Sequence, residues 1–148
     1  MPRRWKRRSG YRVAGIRWRA IIFGLSADFL ATISAGLILS AVAALILLFR
    51  GRPLPGIRKL HFEPPFLAVL LASMVGATFF GGYVAGRTAG AAHLQHGIVM
   101  GLLSLLVGKL LTTATYPAWF DFLATWLALP AAVAGALLAK ARAGHQPS

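Results

Sequence analysis

Four long apolar runs dominate the chain: Ile21 to Phe49, Phe66 to Gly86, Gly97 to Tyr116, and Ala118 to Ala139. Asp28 interrupts the first, Lys109 lies within the third, and Asp121 stands near the start of the fourth. No run alternates polar and apolar residues as a barrel strand would. Lipid admits only helices or closed barrels, because backbone polar groups must pair without water. A hydrocarbon core of about 30 Å takes about 20 helical residues, and the last three runs match that length. The first run is too long for one span. Placing its span at residues 29–49 puts Asp28 at the membrane boundary and keeps a lone carboxylate out of lipid. Residues 20–28 then form a helical extension at headgroup level, or part of a tilted helix.

The pattern predicts an all-α integral membrane four-helix bundle. Its spans are 29–49, 66–86, 97–116 and 118–139. They form one domain over residues 20–142, between a basic arm (1–19) and a short tail (143–148). A cleaved leader is the competing reading of the first run, with Arg3, Arg4, Arg7 and Arg8 as basic region and Ala41-Val42-Ala43 as cleavage site. An h-region is about 7–15 residues long, and this apolar sequence continues to Phe49. The run therefore reads as an anchor.

Composition narrows the function classes. The 148 residues are 57% hydrophobic and 13% charged, about half the charged share of a soluble domain. Sixteen Lys and Arg against three Asp and Glu leave a net charge of +13. A nucleic-acid-binding protein could carry that charge but not that apolar content, so nucleic acid is not an expected partner. The absence of Cys removes disulfides, thiolate nucleophiles and Cys-based metal sites.

The cations divide unevenly between the two sides. Arg3, Arg4, Lys6, Arg7, Arg8, Arg12, Arg17, Arg19, Arg87, Lys140 and Arg142 fall on one side, and Arg50, Arg52, Arg58 and Lys59 on the other. This bias predicts that both termini are cytoplasmic. Arg3, Arg4, Lys6, Arg7, Arg8 and Trp18 form a basic, aromatic segment expected to contact anionic lipid headgroups, at about 1 kcal/mol per nearby cation.

Small residues recur at helical spacing. Gly82, Gly86 and Gly90 follow Gly76 in the second run, Gly97 and Gly101 open the third, and Ala124, Ala128, Ala132 and Ala136 mark the fourth. Such series let helix backbones approach closely in lipid. They predict a glycine-zipper contact between the second and third helices near the cytoplasmic face. Pro117 marks a tight turn, so helices three and four should form an antiparallel hairpin. Pro130 should kink the fourth helix and free the Trp126 carbonyl.

The segment Gly81-Gly82-Tyr83-Val84-Ala85-Gly86-Arg87-Thr88-Ala89-Gly90, followed by His96-Gly97-Ile98-Val99-Met100-Gly101, resembles a family of small, uncharacterised four-span bacterial membrane proteins. The likeness extends to Gly24-x-x-x-Asp28 and covers roughly residues 20 to 110. It implies a four-span fold in the bacterial cytoplasmic membrane and carries no activity with it. The long basic arm and the Pro-rich first loop depart from that pattern.

The few polar groups in the runs are the candidate chemistry. Asp28, Arg87, His96 and Lys140 should lie near one cytoplasmic level, and an intramembrane carboxylate normally finds a cation. Asp28 is therefore expected to pair with Arg87. Lys109 and Asp121 flank the turn at Pro117 and are expected to pair near the outer face, with the ammonium snorkelling outward. An aspartic dyad of Asp28 and Asp121 requires contact distance, whereas this placement puts them on opposite sides of the bilayer. His93 and His96 lack a supporting ligand for a metal, and His96 reads as a capping or interfacial residue. No serine has a nucleophile-elbow context. The chain thus reads as a non-enzymatic membrane protein with no cofactor and no metal. The leading expectation is a structural or accessory protein that associates through its small-residue faces, as a homo-oligomer or as a subunit of a larger complex. An oligomeric small transporter or channel using Asp28 is the main alternative, and a holin-like pore former a weaker one.

Overall fold

The computed structural model describes residues 15–51, 62–112 and 115–144. Among these are four α-helices and no strand: α1 (Trp18–Phe49), α2 (Pro64–Ala89), α3 (His93–Leu111) and α4 (Ala118–Ala143). Each is long and apolar enough to cross a membrane. The residues of the basic arm before Gly15, Arg3 to Arg8 among them, lie outside the described set, as do most of the Pro-rich first loop and the last four residues.

The helix ends follow local chemistry. Pro64 and Pro65 open α2, where a missing N–H costs nothing. Gly90 ends α2 in a left-handed conformation (φ 67°), which glycine adopts without a Cβ penalty. Two residues later Ala92 also has positive φ (51°) and precedes α3. This three-residue connection holds α2 and α3 side by side. Helix α3 starts four residues before, and stops five residues before, the bounds of the predicted span. It ends at Thr112, which is extended, and Thr112-Thr113 is a β-branched pair that crowds a helix.

Helix α1 is continuous from Trp18, with no break at Asp28. Its 32 residues extend about 48 Å at 1.5 Å per residue. Asp28 is ten residues inside it and is not level with Arg87, as the sequence placement had it. Its contact residues place it opposite the middle of α2 and α3, about 15 Å from the end where α1 begins.

The small residues do pack helices together, but with different partners from those expected. Glycines 82 and 86 of α2 face Ala132 and Ala136 of α4, and Gly97 and Gly101 of α3 face the same two alanines. Helix α4 therefore lies in the angle between α2 and α3. Gly135 in turn abuts the backbone of Phe79 and Tyr83. Gly24 and Gly81 form a second close crossing: a Cβ on Gly24 would lie 2.8 Å from the Gly81 carbonyl oxygen and 2.7 Å from the Ala85 Cβ. Gly76 meets nothing within 4 Å, and Gly90 is the helix-ending residue, so neither packs helices. Helix α1 lies along α2, touches α3, and does not reach α4 among the described residues.

Candidate functional site: a cavity floored by Asp28

Asp28 is 4% exposed. Thr78 of α2 donates its hydroxyl to Oδ1 at 3.2 Å, and Ser104 of α3 donates to Oδ2. Three helices thus converge on one carboxylate through two neutral hydroxyls. The expected ion pair with Arg87 is absent. Arg87 is nine residues beyond Thr78 on α2, about 13.5 Å along the axis, too far for its side chain to serve as a direct partner. Its Nη1 instead donates to the Tyr83 hydroxyl at 3.3 Å. The Tyr83 ring also lies under the Arg142 guanidinium, 5.6 Å from the ring centroid.

Asp28 lines one end of a half-open cavity of about 200 Å³, room for several water molecules. Thr32, Thr78 and Ser104 join it at the polar end. Phe29, Met74, Val75 and Leu105 make apolar wall. The cavity continues to Tyr116, Phe120 and Asp121 beside the α3–α4 turn. It exists because α1 does not close against α4, while α2 backs the gap with Met74 and Thr78.

The aromatic end is ordered by its own packing. Tyr116 and Phe120 have ring centroids 4.7 Å apart, and Trp119 meets Phe120 edge-on at 5.8 Å. Phe120 is buried with Leu67 and Leu71 of α2.

Lys109 Nζ and Asp121 Oδ1 are 3.6 Å apart, with side chains 59% and 48% exposed. Both line the cavity. Lys109 sits in the last turn of α3 and Asp121 in the first turn of α4. Each charge therefore suits the dipole of its own helix. Asp28 and Asp121 are not on opposite sides of the protein, as the sequence placement had them; both line this one cavity. Their partners differ, hydroxyls for one and an ammonium for the other, and no shared-proton dyad is formed.

His96 is the second buried polar residue of note, at 1% exposure. Its Nδ1 is 3.0 Å from the Ala92 carbonyl, and its Nε2 is 3.0 Å from the Arg17 backbone N–H. A carbonyl only accepts and a backbone N–H only donates. Nε2 therefore accepts from Arg17 and Nδ1 donates to Ala92. Arg17 also donates from Nη1 to the Ala89 carbonyl at 3.2 Å. These bonds fasten the start of α1 to the α2–α3 turn. Trp18, next in the chain, is 62% exposed.

Every buried side-chain nitrogen or oxygen among the described residues has a hydrogen-bond partner. Sequence reasoning singled out Asp28, Lys109 and Asp121 but not Thr78 or Thr32, and it did not place Ser104 against Asp28. The available signal was a hydroxyl inside an apolar run: Thr32 in the first, Thr78 in the second and Ser104 in the third. Compared with protein-family models, with characterised proteins and with solved structures, the chain matches none of them.

Proposed function

We propose that the protein is a small multi-pass membrane transporter or channel for protons or another cation, with Asp28 as its coupling carboxylate. It is read as non-enzymatic, with both termini in the cytoplasm and the α3–α4 turn on the outer face. The observation that carries this reading is Asp28: a carboxylate at the middle of the helices, held by Thr78 and Ser104 and facing a cavity. A carboxylate in a low-dielectric interior holds either a proton or a counter-cation. No side-chain cation within salt-bridge distance neutralises it among the described residues. The nearby ammonium, Lys109, is matched by Asp121, so the cavity retains one unmatched acid.

An accessory role drew its support from the glycine faces. Gly82, Gly86, Gly97 and Gly101 are engaged with α4 of the same chain, which leaves that role with less to stand on. The test is flux in proteoliposomes. Wild-type protein should pass protons, Na⁺ or K⁺ under an imposed gradient, and Asp28→Asn should lose at least tenfold while still assembling. Equal flux in both, or none in either, contradicts the reading.

A further inference from the structure

We infer that the cavity binds a small organic ammonium ion, which Asp28 takes in exchange for a proton. This rests on the transport reading above and names its substrate class. Three observations carry it. The cavity holds about 200 Å³, more space than a bare alkali ion or a single water needs. Its walls are apolar and aromatic, with Phe29, Met74, Tyr116 and Phe120 between the acid and the α3–α4 turn. Its charged groups, Asp28, Lys109 and Asp121, sum to one negative once Asp28 gives up its proton.

An inorganic cation would exchange its hydration shell for oxygens spread along the cavity, from Asp28, Thr32, Thr78 and Ser104 to Thr112, Tyr116, Asp121 and Thr125, rather than gathered in one shell. An alkylammonium has little hydration to lose. Its methyl or ethyl groups suit the apolar wall of Phe29, Met74, Val75 and Leu105. The exchange balances: the protonated carboxyl and the ammonium ion give a carboxylate–ammonium pair and one released proton. Thr78 and Ser104 keep donating to the carboxylate in its charged state, which stabilises the exchanged form. Gly108 also lines the cavity, and a Cβ there meets nothing within 4 Å, so the site has space at its α3 side.

The test uses choline and its neutral carbon analogue, 3,3-dimethyl-1-butanol, on the full-length purified protein. Choline should bind saturably and release one proton per molecule into a weakly buffered medium. The neutral analogue should bind at least tenfold more weakly. Asp28→Asn should abolish both signals, and Asp28→Glu should retain them, which separates lost charge from lost fold. Choline binding no tighter than the neutral analogue, or without proton release, overturns the inference. If choline fails while Asp28-dependent proton or Na⁺ flux persists, the transport reading stands and only the substrate class is wrong. If no cation moves through folded protein, both are wrong.

Discussion

The Thr78 hydroxyl lies 3.2 Å from Asp28 Oδ1, joining α1 to the middle of α2 through two residues fifty apart in sequence. With Ser104 on the other oxygen, it gives both carboxyl oxygens of Asp28 a hydroxyl partner. Hydrogen bonds to a charged group contribute about 1.5–3 kcal/mol. Thr78→Val keeps the side-chain shape and removes the donor. It should lower stability by about 1–3 kcal/mol, measured by reversible unfolding in mixed micelles. Asp28→Asn can still accept the Thr78 bond through its carbonyl and should cost less.

Glycine positions divide by what surrounds them. Gly82 faces the backbone of Ala132, whereas a Cβ on Gly108 meets nothing within 4 Å. Alanine gains about 0.5–1 kcal/mol over glycine in a helix interior where there is room. Gly108→Ala should therefore raise the melting temperature. At Gly82 the obstacle is main chain and cannot rotate away, so Gly82→Ala should lower it, at a stability cost of about 1–3 kcal/mol. Effects of the same sign at both sites would contradict the helix register.

The tie at the start of α1 can be cut at His96. Alanine there leaves the Arg17 N–H and the Ala92 carbonyl without this partner, at about 1–3 kcal/mol for buried groups. Hydrogen exchange should speed up at residues 17–24 and change little in α4. Uniform acceleration across all four helices would show that His96 is not a local fastener.

The Lys109–Asp121 pair is half exposed, so either single alanine substitution should cost no more than about 1 kcal/mol. Exchanging the two charges should restore most of that loss, although each charge then opposes its helix dipole. A swap more damaging than either single change would mean the pair is not the relevant contact.

The four helices were legible because length and hydropathy alone set a membrane span. The depth of Asp28 was not. Moving it to the boundary assumed that only a cation could compensate it, and the compensation comes from Thr78 and Ser104, which are inconspicuous inside apolar runs. The glycine series correctly indicated close packing. It could not tell α4 from α3 as the partner, because small residues permit approach from any helix whose own surface is small, and Ala132 and Ala136 supply one. The Lys109–Asp121 proximity was readable because a tight turn at Pro117 brings the two helix ends together.

A hydrated path to Asp28 is tested most directly by single-cysteine accessibility, since the chain contains no cysteine of its own. Thr32→Cys and Ser104→Cys both line the cavity, while Leu37 is 68% exposed on an apolar face of α1. In membranes, a water-soluble thiol reagent applied from the α3–α4 side should modify the first two, with choline slowing the reaction, and leave Leu37→Cys unmodified. Absence of reaction at both Thr32→Cys and Ser104→Cys would show that water does not reach Asp28, and the transport reading would fall with it.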